Sequence, residues 1–136
     1  MHELFEHTAD LGLRAEAATL DELFAEAAAC LLAAIVEDPA SVRPANAETI
    51  AIAGADREYL LFDWLKELLS RFDDGQMLLC RFEVTVRDDG LSATVWGEPF
   101  DPERHVLSHE VKAITYHELK VAPTPSGWLA EVIVDI

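Results

Sequence analysis

The segment RFEVTVRDDGLSATVW, residues 81–96, carries the clearest strand pattern in the chain. Apolar residues alternate with polar ones from Phe82 to Val86, and a period of two is typical of a β-strand with one buried face. Asp88-Asp89-Gly90 supplies the residues that a tight turn requires, and residues 91–96 form a second β-forming run. The segment therefore predicts an antiparallel β-hairpin.

Two amphipathic helices are predicted before this hairpin. Thr19-Leu20-Asp21-Glu22 is a capping box, in which the threonine hydroxyl and the glutamate carboxylate satisfy free amides where a helix begins. We expect this helix to end near Asp38-Pro39. A broad apolar face over residues 60–72 predicts the second helix, which Asp73-Asp74-Gly75 should end.

Short strands are predicted around the helices and after the hairpin, over residues 4–6, 11–15, 49–53, 109–121 and 128–136. This order of elements predicts an α+β fold. The expected form is a two-layer sandwich: a mostly antiparallel sheet of six to seven strands, with both helices on one face. The other face would be open to a partner. We expect residues 1–136 to form a single domain.

The charge of the chain restricts its direct partners. It has 26 acidic and 10 basic residues, a formal net charge of −16, and such a field repels nucleic-acid phosphates. Any RNA is therefore expected to contact a partner protein and not this chain. The acidity itself fits a solvated surface or a face that matches a basic partner. No targeting segment or membrane span is predicted, so we expect a cytoplasmic protein.

Two aspartates at strand ends are the first candidates for chemistry. Asp10 lies in a turn after the first predicted strand, and Asp135 ends the β-forming run of residues 132–136. Side by side, their carboxylates and nearby backbone carbonyls would form a hard-oxygen site for Ca²⁺ or Mg²⁺. The alternatives are that Asp10 caps its own turn and that Asp135 is simply an exposed strand end.

Other polar residues have two interpretations each. His7 and His117 could be ligands or proton carriers, or hydrogen-bonded core residues. Lys112 could pair with a nearby carboxylate or lie exposed. Glu98 could face a partner, or its loop, residues 97–105, could be a connection stiffened by two prolines. No nucleophile elbow, phosphate loop or paired-cysteine zinc motif is present in the sequence, so an enzyme is not predicted.

Four strings in this order resemble the archease family, and together they span the chain. They are FEHTADLG at residues 5–12, Gly97-Glu98-Pro99 followed by Arg104-His105, EVKAITYH at residues 110–117, and Trp128 followed by VIVDI at residues 132–136. The departures are conservative: Leu11 stands where the family often has isoleucine, and Glu118 where it often has aspartate.

The resemblance implies an activator of the tRNA-splicing RNA ligase, which seals a 3′-phosphate or 2′,3′-cyclic phosphate end to a 5′-hydroxyl end. It implies a protein without ligase activity of its own that promotes guanylylation and multiple turnover of the ligase and broadens its use of nucleotide triphosphates. It also implies a metal site at Asp10, Asp135 and the backbone of Ile136, usually occupied by Ca²⁺, with Lys112 linked to activation.

His7 and Glu98 are further candidates for activating the partner. The main alternative is a chaperone-like or RNA-modification adaptor that acts through its open sheet face. A metal-dependent hydrolase built on Asp10, Asp135 and His7 is a third reading, which the lack of a second acid–base cluster disfavours.

Overall fold

The computed structural model describes residues 1–7 and 10–136 and has an α+β fold, as the sequence predicts. Its two α-helices are α1 (Leu20–Ile35) and α2 (Arg57–Gly75), and a short 3₁₀ turn spans Pro39–Ser41. The strands are β1 (His2–His7), β2 (Asp10–Ala17), β3 (Asn46–Ala53), β4 (Met77–Arg87), β5 (Gly90–Pro99), β6 (Ala113–Ile114), β7 (Lys120–Thr124) and β8 (Gly127–Asp135).

The strands form two antiparallel sheets instead of the single sheet of six to seven strands expected. One sheet has five strands in the order β1-β2-β8-β6, with β7 also paired to β8, and the other has three in the order β3-β5-β4. Both helices contact strands of both sheets, so they lie between the sheets and not on one face of one sheet. The hairpin β4–β5 pairs with β3 and not with the terminal strands, and this pairing separates the two sheets.

The helix α1 shows why both sheets are needed. Nine of its 16 residues are buried, more than one packed face would cover. Between the helices, Trp64 is fully buried and its indole Nε1 donates a hydrogen bond to the carbonyl of Phe24 at 2.9 Å. The core therefore lies around the helices, and each sheet presents one face inward and one outward.

A side chain caps the start of each helix, and the cap of α1 is the threonine of the predicted capping box. The hydroxyl of Thr19 accepts from the Glu22 amide at 3.2 Å, and Asp56 accepts from the amides of Glu58 and Tyr59 at the start of α2. The first helix ends earlier than predicted, because Val36 adopts an extended backbone and forms a bridge with Leu107. None of the described helices is long and apolar enough to cross a membrane.

The strand predicted over residues 109–121 is interrupted, which is the second correction to the expected fold. Only Ala113–Ile114 and Lys120–Thr124 pair with β8, as β6 and β7. Between them the amide and hydroxyl of Thr115 both donate to the carbonyl of Ile133, at 3.1 and 2.7 Å, and Glu118 has a φ of 53°. The chain thus turns away from the sheet between β6 and β7.

Candidate metal and partner-binding site

The two candidate aspartates lie opposite each other on neighbouring strands. Leu11 of β2 pairs with Val134 of β8, and the same register continued by one residue sets Asp10 opposite Asp135. Directly opposed residues of an antiparallel pair point to the same face. Leu11 and Val134 are buried in the core, so Asp10 and Asp135 lie on the outer face of the five-stranded sheet. The strand register therefore places the two aspartate positions at the same end of the five-stranded sheet.

Neither carboxylate of this pair is engaged elsewhere in the described part of the chain. Within residues 1–7 and 10–136, no hydrogen bond or ion pair involves the side chain of Asp10 or Asp135. Two adjacent carboxylates repel each other unless a cation or donors balance them. Together with the backbone of Ile136, they fit a hard cation such as Ca²⁺ or Mg²⁺. The alternative role of Asp10, capping a predicted turn at Thr8 and Ala9, falls on residues outside those that the structure describes.

Lys112 reaches the same end of the sheet through its backbone. Its amide donates to the carbonyl of Asp135 at 2.8 Å, next to the pairing of Ala113 with Asp135 in β6–β8. The Lys112 side chain is exposed, and it forms no ion pair within the part of the chain that the structure describes. The backbone of Lys112 thus lies beside Asp135, and its side chain is exposed to solvent.

His7 also lies at this end, because it pairs with Asp10 across β1 and β2. Its Nε2 atom is 3.1 Å from a carboxylate oxygen of Glu118, and its ring centroid is 5.3 Å from that of His117. No pattern in the sequence places His7 beside His117 and Glu118. No glycine or proline marks a turn in residues 115–119, so no local signal predicts that His117 and Glu118 fold onto His7.

The sheet surface beside the pair is packed. A Cβ atom on Gly12 would lie 2.2 Å from the ring of Phe5, so that ring rests directly on the glycine. The guanidinium of Arg14 lies over the same ring, 4.4 Å from its centroid, and pairs with Glu3 and Glu131. Ile133 points to this outer face and is only 2% exposed. The more open face belongs to the three-stranded sheet, where Thr49 and Thr85 are exposed.

Glu98 belongs to that other sheet and is enclosed by hydrogen bonds. Its carboxylate accepts from the Arg104 guanidinium at 2.5 Å, the Arg43 amide at 2.8 Å and Nε2 of His105 at 2.9 Å. The Nδ1 atom of His105 accepts from the Asp101 amide, so the ring proton is on Nε2. Chiefly through the Arg104 hydrogen bond, and against the effect of burial, the pKa of Glu98 is lowered to about 2. Residues 97–99 of the predicted loop belong to β5, and this network attaches the residues that follow, 100–105, to the sheet.

Comparison with known proteins connects these features to a family. The model of the Archease protein family (MTH1598/TM1083) matches residues 2–136. The chain belongs to the archease family. Protein archease of Sulfurisphaera tokodaii is 38% identical over 136 residues, which cover 98% of this chain and 97% of the relative. Protein archease of Pyrococcus abyssi is also 38% identical, over 139 residues with the same coverage.

A solved structure agrees with the fold. The solution structure of Methanobacterium thermoautotrophicum protein 1598 superposes with a TM-score of 0.79 at 32% sequence identity, over 99% of this chain and 98% of that one. The two-helix, two-sheet arrangement is therefore shared with that protein. Membership of the archease family supports an accessory role for the chain.

Proposed function

We propose that this chain is an accessory activator of the RNA ligase that joins a 3′-phosphate or 2′,3′-cyclic phosphate end to a 5′-hydroxyl end, as in tRNA splicing. The observation that carries the proposal is the register of β2 against β8, which sets Asp10 opposite Asp135 when it is continued by one residue beyond Leu11 and Val134. Archease family membership supports the accessory role, and in this proposal the ligase performs the chemistry.

The aspartate pair is proposed to hold Ca²⁺, or Mg²⁺ in its place, with the backbone of Ile136 as a third oxygen donor. Both aspartates lie on paired strands, so the backbone that carries them is ordered before the ligase binds. When bound, the ion would supply a fixed positive charge that phosphate or carboxylate oxygens can approach. The carboxylates themselves would orient the ion and the neighbouring groups, which lowers the reorganisation needed for guanylylation of the ligase.

The partner is proposed to be the ligase protein, with RNA contacted only through it. A formal charge of −16 repels RNA but attracts the basic surface that an RNA-binding enzyme must carry. The side chain of Lys112 is exposed and its backbone is hydrogen-bonded to that of Asp135, and His7 pairs with Asp10. Both residues are therefore proposed to contact the ligase together with the aspartate pair. Glu98 is buried, and it is proposed to contribute to activation indirectly, by holding residues 100–105 in position through its hydrogen bonds.

The test is a guanylylation assay with the RNA ligase of the same organism and GTP, scored for initial rate and for multiple turnover. We expect Asp10→Asn and Asp135→Asn each to reduce activation at least about tenfold, as loss of a metal-positioning group typically does. Asp63→Asn is the matched control, because Asp63 is an exposed aspartate on α2 and its loss removes the same charge. Thermal unfolding of each variant checks that it is folded.

The adaptor alternative makes the opposite prediction in the same assay. It requires Asp10→Asn and Asp135→Asn to keep full activation, while Thr85→Arg on the exposed face of the three-stranded sheet abolishes it. Undiminished activation by both aspartate variants would remove the metal-site mechanism. If Asp63→Asn also lost activation, activation would depend on the net charge of the chain and not on the Asp10–Asp135 site.

A further inference from the structure

Three side chains that could bind a metal ion meet on the outer face of the five-stranded sheet. One ligand atom each from His7, His117 and Glu118 lies within 4.8 Å of the other two. The His7 Nε2 atom is 3.1 Å from Oε2 of Glu118, and the His117 Nε2 atom is 3.9 Å from Oε1. Ligands of a tetrahedral zinc ion stand roughly 3.3 Å apart, given its bond lengths. The His7 separation is close to that value, and the His117 separation, which is to the other oxygen of Glu118, is longer.

The backbone around these side chains is held by hydrogen bonds. His7 is fixed by the β1–β2 pairing, and its Nδ1 atom is buried with no hydrogen-bond partner among residues 1–7 and 10–136. Its Nε2 atom is therefore the nitrogen that faces the cluster. The amide of His117 donates to the hydroxyl of Thr115, which in turn donates to the carbonyl of Ile133 in β8. These bonds tie the turn that carries His117 and Glu118 to the sheet.

We propose that His7, His117 and Glu118 form a second metal site, which binds a borderline divalent transition ion such as Zn²⁺. Two imidazoles and one carboxylate are a donor set that zinc accepts, whereas Ca²⁺ and Mg²⁺ take oxygen ligands. The side chains of His117 and Glu118 are each 62% exposed, so a fourth position faces solvent. Water or a donor group from a partner would complete the coordination there.

This site lies next to the proposed aspartate site but differs from it in its donors. His7 and Asp10 are opposite each other in the β1–β2 pair, but the cluster found among the described residues contains neither Asp10 nor Asp135. The two proposals can therefore fail separately. A chain that activates the ligase without binding Zn²⁺ would refute only this one.

The experiment is a titration of chelator-treated protein with Zn²⁺ alone, followed by calorimetry, and with Co²⁺ alone, followed by its visible absorption. We expect one equivalent of Zn²⁺ to bind and to raise the thermal unfolding temperature, and Co²⁺ to show the intense bands of four-coordinate geometry. We expect His117→Gln and Glu118→Gln to weaken Zn²⁺ binding by about 100-fold or more, since each removes a direct ligand. Both residues are exposed, so these variants should fold.

His109→Gln is the matched control, because His109 is an exposed histidine outside the cluster. It should bind Zn²⁺ as the unmodified chain does. Asp10→Asn with Asp135→Asn should also retain Zn²⁺ binding, and excess Ca²⁺ should not displace the Co²⁺ spectrum. Equal Zn²⁺ affinity in the unmodified chain and in His117→Gln would overturn the proposal. It would also be overturned if the double aspartate variant lost the Co²⁺ spectrum while His117→Gln and Glu118→Gln kept it.

Discussion

Glu98 shows at the scale of a single residue how the fold uses a buried charge. Its carboxylate receives hydrogen bonds from Arg104, from the Arg43 amide and from His105, while only 8% of the residue is exposed. Burial alone would raise the pKa of this group, but the hydrogen bonds from Arg104 and its neighbours lower it to about 2. The bonds therefore outweigh the desolvation, and the carboxylate stays ionised.

This depressed pKa predicts an acid-dependent loss of stability. The unfolded chain takes up a proton at Glu98 near pH 4.5, whereas the folded chain does so only near pH 2. The stabilisation is thus present at neutral pH and is lost as the pH falls through that window. At pH 7 we expect Glu98→Gln to lower the free energy of unfolding by about 2 kcal/mol, because charge-assisted hydrogen bonds to Arg104 are weakened.

The measurement is urea unfolding of both proteins from pH 7 down to pH 2. The difference between Glu98→Gln and the unmodified chain should shrink as the pH falls below about 4.5. A difference that is constant across this range would show that the ionised state of Glu98 does not contribute to stability.

At the scale of elements, the pairing of β1 with β2 depends on the absence of a side chain at Gly12. The ring of Phe5 occupies the space where a Cβ atom would be, and Arg14 packs on that ring. An aromatic ring that covers a glycine on the facing strand is a known device for pairing edge strands. The first strand of the sheet is therefore held to β2 by this contact as well as by its backbone ladder.

We expect Gly12→Ala to lower the free energy of unfolding by about 1–3 kcal/mol, because Phe5 has to move away and overpacking carries this cost. The matched control is Gly75→Ala, since a Cβ atom on Gly75 meets nothing within 4 Å. That substitution should be neutral or slightly stabilising at the end of α2. Equal effects of the two substitutions in urea unfolding would contradict the role assigned to the Phe5–Gly12 contact.

The charge of the whole molecule leads to a kinetic prediction for the proposed partnership. At a formal charge of −16, long-range attraction to a basic ligase should accelerate encounter, and added salt should screen it. We expect the apparent second-order rate constant of activation to fall about tenfold or more between low ionic strength and about 0.3 M salt. The rate at saturating concentration of the chain should change little. A salt-independent second-order rate constant would argue that the acidity serves solubility alone.

Much of the local structure could be predicted from the chain alone. The capping box at Thr19, the apolar face of α2 and the alternation around Phe82 each depend on residues within a few positions of one another. Such patterns are decided by backbone geometry and by nearby side chains. They were sufficient for the α+β class, both helices and the β4–β5 hairpin.

What only the tertiary structure decided is which distant segments meet. The division into two sheets depends on β3 pairing with β5, and the opposition of Asp10 to Asp135 depends on the register of β2 against β8, across more than a hundred residues of chain. The contact of His7 with Glu118 depends on a turn at residues 115–119, which contains no glycine or proline that would predict it. Non-local pairing is set by packing of the whole core, which alternation within one segment does not encode. The sequence therefore determined the elements and the candidate residues, and the fold decided which of those residues share a site.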